Sequence, residues 1–141
     1  MSKWTDDFPK SEITGKITTK TVEFAKEFGS YLGTDVKNGY KIEVAKLTTN
    51  QLRKFFGEVK RQQMKGYNET DFVLLKPKLA YAVGRTKEKS KITDFYEIMS
   101  IAIDEVKSEA HFKNFIKIFE EEGFTFVDDF IWDKGEVQSQ R

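Results

Sequence analysis

Between Thr48 and Gly66 the chain reads TTNQLRKFFGEVKRQQMKG, and its apolar residues keep a helical period. Leu52, Phe55, Phe56 and Val59 stand at i, i+3, i+4 and i+7, the spacing that puts side chains on one face of an α-helix. Thr48 and Gln51 have the T-x-x-Q spacing of a capping box, in which each side chain satisfies the other residue's unpaired backbone N–H. Gly66 suits the C-terminal end. A helix with one apolar face needs other elements to cover it, so this segment directs the chain toward helix-on-helix packing.

Other stretches supply those partners. TTKTVEFAKEFGSYL repeats apolar residues at Val22, Phe24, Ala25, Phe28 and Leu32, which predicts a short amphipathic helix. KITDFYEIMSIAIDEVK predicts another, with Phe95, Met99, Ile103 and Val106 inward. SEAHFKNFIKIFEEEG predicts a last helix, capped by Ser108 and stopped by Gly123. NETDFVLLKPKLAYAVGRT is helical but contains Pro77, which has no N–H to donate and disfavours helical geometry at Lys76. Either Pro77 lies in the first turn, or a helix begins at Thr70 and kinks; the first arrangement is favoured. In GTDVKNGYKIEVAK, Asn38-Gly39 is a turn signal and Tyr40, Ile42 and Val44 alternate, so a hairpin is one reading. A connecting loop is preferred there, because no further strands exist to complete a sheet.

The expected fold is all-α, a compact bundle of about five helices. One helical domain is expected over residues 1–141, with 1–18 as a leader free to be flexible and 124–141 as an acidic, aromatic tail. The tail's Phe124, Phe126, Phe130, Ile131 and Trp132 either cover the core or form an exposed patch.

At 141 residues the chain is long enough to bury a real core. It has no cysteine, which excludes disulfides and thiolate metal sites and suits a reducing compartment. The N-terminus MSKWTDDFPKSEITGK has no apolar signal region and no stretch approaches transmembrane length, so the expected location is the cytoplasm. The net charge of +1 hides a division along the chain. Residues 41–91 carry thirteen Lys or Arg against five acids, whereas 92–140 carry four Lys against twelve acids. Such a split points to a polyanion-binding middle, or to two halves that neutralise each other.

Chemistry for catalysis is missing. The single histidine, His111, cannot form a histidine zinc site or an acid–base pair, and it is expected to be structural or exposed. No glycine loop for phosphates is present, and the consecutive Glu120, Glu121 and Glu122 fan around a helix instead of converging on a metal. Neither a cofactor nor a metal is expected. What remains is the basic set. Arg53 and Lys60 form one row on their helix, and Lys54, Arg61 and Lys65 form its neighbour. Farther on, Lys78, Tyr81 and Arg85 share one helix face, while Leu75, Leu79 and Ala82 share another. Cations on adjacent helix faces can neutralise phosphates spaced along a strand. Tyr81 can stack on a base or pack against the stems of Lys78 and Arg85.

Three blocks in order, LTTNQLRKFF, FVLLKPKLAYAVGR and FKNFIKIFE, resemble the small subunit of type III-A CRISPR effector complexes, the Csm complexes. The resemblance runs from about Leu47 to Glu120. It implies a small helical protein without catalytic activity, several copies of which line a ribonucleoprotein that serves antiviral defence. Its implied partners are the backbone of the guide/target RNA, the backbone and large subunits of the complex, and other copies of itself. By motif position, the resemblance assigns Arg53 and Lys54, then Lys76, Lys78 and Arg85, to nucleic acid; Lys60, Arg61 and Tyr81 join them from the helix faces alone. After FIKIFE the chain departs from the family's usual small, apolar and aromatic continuation, reading acidic and broken by Gly123. The alternative function is a helical protein-interaction adaptor that self-associates through its basic middle and acidic C-terminal half.

Overall fold

The computed structural model of the chain describes residues 3–123. The helix read from Thr48 onward is there as α3 (Thr49–Lys65), and its cap has the reciprocal geometry that the spacing implies. The Gln51 N–H donates to Thr48 Oγ1 at 3.1 Å, and the Thr48 N–H donates to Gln51 Oε1 at 2.9 Å. Leu52, Phe55, Phe56 and Val59 are buried, and the stripe continues one turn on to Gln62. That buried amide donates from Nε2 to the Asp71 carbonyl at 3.1 Å, fastening this helix to the segment that follows.

In chain order the elements are α1 (Lys3–Asp7), a 3₁₀ turn (Lys10–Ile13), α2 (Thr19–Leu32), β1 (Val36–Asn38), β2 (Lys41–Val44) and α3 (Thr49–Lys65). They continue with α4 (Glu69–Val73), α5 (Leu75–Arg85), α6 (Ile92–Glu105), α7 (Glu109–Ile116) and a π-helical end (Lys117–Gly123). The fold is mostly helical, with one two-stranded sheet. Pro77 occupies the third position of α5, inside its first turn, where a missing N–H costs no helical hydrogen bond. A separate short helix precedes it. Asn68 caps α4 by accepting from the Asp71 N–H at 3.0 Å, and the chain breaks at Leu74 before α5 starts.

The preference for a loop after α2 is corrected: residues 36–44 form an antiparallel hairpin, pairing Val36 with Val44, Lys37 with Ile42 and Asn38 with Lys41. Gly39, at φ 64°, takes the left-handed position that a two-residue hairpin turn requires, and Tyr40 follows it. No third strand is needed because the hairpin is held at its root. The Leu47 N–H donates to the Leu32 carbonyl and the Lys46 N–H to Asp35 Oδ1, each at 2.8 Å. Ala45 exchanges backbone hydrogen bonds with Lys89 and Lys91 at 2.8 and 2.9 Å.

One contiguous cluster of apolar side chains joins the helices, with Phe28, Phe56, Phe72, Phe95, Phe115 and Phe119 fully enclosed. Many rings meet edge to face, as Phe55 does with Phe95 and Phe72 with Phe115, both at 5.2 Å between centroids. The segment before α2 contributes to the same cluster: Phe8 and Ile13 are buried, and Trp4 lies 5.1 Å from the rings of Phe28 and Tyr31. Thr21, not Val22, takes the buried position near the start of α2. Its hydroxyl donates to Glu12, which also accepts from the Thr18 N–H at 2.7 Å. Desolvation would raise the Glu12 pKa, but these hydrogen bonds outweigh it and hold the carboxyl below its ordinary value.

The tail residues Phe124, Phe126, Phe130, Ile131 and Trp132 lie outside the described residues.

Candidate nucleic-acid interface

The α3 stripe buries Phe55 and the α5 stripe buries Leu75 and Leu79, and where the two helices meet they leave a groove of about 540 Å³. Phe55, Leu75, Leu79 and Phe95 are among its apolar lining, whereas Asn50, Gln51 and Thr86 add polar groups. Lys54 reaches the groove from α3, and Lys78, Tyr81 and Arg85 reach it from α5. Helical spacing alone therefore placed the last three on one edge, and packing added Lys54 across from them.

Tyr81 is 67% exposed, so it is no part of the core. The Arg85 guanidinium lies 5.5 Å from the centre of its ring, a cation–π contact that leaves much of the ring open to solvent. The Lys78 side chain is 62% exposed and its ammonium lies 3.3 Å from Glu58 Oε1.

The other cations named from the sequence are placed differently. Arg53 is exposed on α3 but does not line the groove. Arg61 closes a fork on Glu58, with Nε at 3.0 Å and Nη2 at 2.5 Å. Lys60 turns inward, its Nζ 3.2 Å from the carboxylate of fully buried Glu120. Lys76 leaves the groove and binds Asp104 of α6 at 2.6 Å. Lys65 pairs with Asp71 at 3.6 Å. The eight candidate residues thus separate into a groove-lining set of Lys54, Lys78, Tyr81 and Arg85, Arg61 held beside it on the groove's own Glu58, and Arg53, Lys60 and Lys76 set apart or committed elsewhere.

Sequence reasoning missed Glu58, the acid in the groove's lining. The hydrogen bond from Arg61 is the main reason its pKa falls to about 2, and Lys78 adds to the effect against the opposing cost of partial burial. Its i, i+3 spacing to Arg61 was a legible signal, but its contact with Lys78 joins residues twenty positions apart.

His111 has a structural place. Its Nδ1 accepts from the Lys107 N–H at 3.0 Å, and its own N–H donates to the Ser108 cap at 3.2 Å, which shapes the turn between α6 and α7. Among the described residues, no group of three or more His, Cys, Asp or Glu gathers as a metal site would require. No helix among the described residues is long and apolar enough to cross a membrane.

No curated protein matches this sequence, and no solved structure matches it. A family described as Csm2 Type III-A matches residues 18–121, a span that contains α2 through nearly all of the π-helical end and includes the whole groove. The chain belongs to the Csm2 family of type III-A CRISPR complexes.

Proposed function

We propose that this chain is a non-catalytic, RNA-binding structural subunit of a type III-A CRISPR effector, with the α3–α5 groove rim turned toward the backbone of the guide/target RNA. Family membership supports the structural role in a multi-subunit complex. The observation that carries the RNA contact is the convergence of Lys54, Lys78 and Arg85, with exposed Tyr81 between the last two, on the rim of a single groove. Such a rim neutralises phosphates without reading bases, because ammonium and guanidinium groups release counterions whatever the sequence. Tyr81 offers a face for stacking on an unpaired base.

In the assembly the partners are the RNA, the backbone and large subunits and further copies of this chain, and the place of action is the cytoplasm, where such complexes would meet foreign transcripts. The alternative of an adaptor that self-associates through opposite charges draws less support. The pairs Lys60–Glu120 and Lys76–Asp104 join the basic middle to the acidic half within one chain, so they use charges that self-association would need.

The test is binding of labelled RNA by the intact chain as salt is varied. Lys78→Ala and Arg85→Ala should each weaken binding to any sequence and reduce the salt slope by about 0.7 on single strands. Unchanged affinity and slope in both variants would reduce the groove rim to a solvated surface. With divalent metal present, the chain alone should leave RNA uncut; cleavage abolished by a single substitution in this chain would overturn the non-catalytic role.

A further inference from the structure

A carboxylate is an odd resident of a surface built to receive phosphate. Glu58 lines the same groove as Lys54, Lys78 and Arg85, and its side chain is 21% exposed. Oε2 accepts from Arg61 Nε at 3.0 Å, while Oε1 accepts from Arg61 Nη2 at 2.5 Å and from Lys78 Nζ at 3.3 Å. Two oxygens therefore take three donors, in the fork geometry that guanidinium groups offer equally to carboxylates and to phosphates.

We propose that the Glu58 carboxylate holds the place of a phosphate: in the free chain it gathers Arg61 and Lys78 at the groove, and a phosphodiester of bound RNA takes over those two cations. This rests on the RNA-binding reading above and adds to it a phosphate position between α3 and α5, together with an internal competitor for that position.

The exchange is physically open. The side chains of Lys78 and Arg61 are 62% and 55% exposed, so a phosphate reaches both heads without disturbing the core. Ion pairs in such wet surroundings are weak and are readily replaced by a stronger anion. A polyanion also engages Lys54 and Arg85, which the single carboxylate does not bridge, so it gains neighbouring contacts that Glu58 cannot supply. Lys60 makes the contrasting case: its side chain is 19% exposed and its partner Glu120 fully buried, so exchange there would strand a buried carboxylate. The consequence is a groove that binds isolated phosphates poorly and a connected backbone better, since one contact must always be exchanged rather than gained.

The experiment compares the intact wild-type chain with Glu58→Gln and Glu58→Ala on a fluorescent single-stranded RNA of mixed sequence, across a salt series. Glu27→Gln, an equal change in net charge at an exposed position of α2, is the control. Releasing two surface-paired cations should tighten binding by about three- to tenfold at low salt. The salt slope should differ from wild type by less than about 0.7, because the same two cations meet phosphate in both bound states and only the competitor is gone. In a Lys78→Ala background the gain from Glu58→Gln should shrink, because one of the two released cations is missing. Circular dichroism of each variant checks the fold, and the two substitutions at position 58 guard against a local defect in either. If wild-type binding depends on Lys78 and Arg85 while both Glu58 variants match the Glu27→Gln control, the stand-in role is overturned and the RNA-binding role survives. If Lys78→Ala and Arg85→Ala bind as wild type does, the RNA-binding role itself falls, and the stand-in with it.

Discussion

Lys76 and Lys78 are two residues apart on α5, and the helix turns them to opposite flanks. On the α6 flank, Lys76 is half-buried and its ammonium meets Asp104 at 2.6 Å. On the α3 flank, Lys78 is largely exposed and shares Glu58 with Arg61 at the edge of the groove. The chemistry of the two side chains is the same; the neighbours differ. A lysine beside a packed helix becomes part of the joint between elements, whereas one beside a groove keeps its head accessible to a ligand. A cation count along the chain therefore overstates the number of accessible cations, and the flank decides which heads stay open to a ligand.

Both flanks depend on the shared floor, so the largest expected effect comes from removing it. Phe55→Ala should destabilise the chain by roughly 3–5 kcal/mol, read from chemical denaturation, because the ring is buried against Phe56 and Phe95. Near-wild-type stability would mean that this ring does not pack between α3 and α6.

A smaller loss is expected at Lys91, which extends the α6-side pattern to its limit. Its residue is 3% exposed, its Nζ donates to the Tyr31 carbonyl at 2.6 Å, and the ammonium lies 3.9 Å from the Tyr31 ring centre. Burial lowers its pKa, while Asp94 and Asp35 work in the opposite direction. Tyr31 in turn donates to Asp94 at 2.5 Å, and burial first, then Asp94, lifts its pKa to about 12. Lys91→Ala should cost about 2–3 kcal/mol, since a charge-assisted hydrogen bond and a buried stem are both lost. It should leave the RNA salt slope unchanged. A changed slope with intact stability would place Lys91 in the interface instead.

Acid should distinguish the groove from the rest more gently. Glu58 and Glu12 both have pKa values held below the ordinary carboxylate range in the folded chain, Glu58 at about 2. For such groups the unfolded chain binds the proton first. Their contribution to stability is therefore complete above an unfolded pKa of about 4.3 and is lost as pH falls toward the folded value. Denaturation curves should show this loss below about pH 4.3, reduced in Glu58→Gln. An acid response identical in Glu58→Gln would show that the Arg61 and Lys78 contacts with Glu58 do not persist in solution.

The smallest effect concerns the comparison directly. Lys76→Ala should lower stability by at most about 1 kcal/mol and leave RNA affinity nearly unchanged, whereas Lys78→Ala should do the reverse. Equal RNA defects in the two variants would erase the distinction between the flanks.

Much of the architecture was legible in the sequence because its causes are local. The Thr48–Gln51 cap, the Ser108 cap and the inward Phe95, Met99 and Ile103 follow from hydrogen bonds and periodicity within a few residues of each other. The hairpin was misjudged for the complementary reason. Its strands are mostly exposed, so no burial pattern advertises them, and its support comes from Leu32, Lys89 and Lys91, elsewhere in the chain.

The candidate site divides along the same line. Helical geometry by itself determined that Lys78, Tyr81 and Arg85 share an edge beside the face of Leu75 and Leu79, because 3.6 residues per turn leaves no freedom in the matter. Only the tertiary structure decided that Lys54 joins that edge, that Lys60 is taken by Glu120 and Lys76 by Asp104, and that Glu58 lies among the groove's cations. Lysine and arginine heads stand several bonds from the backbone, so the turn of a helix sets where each stem begins, but the carboxylates brought within reach by packing set where each charge ends.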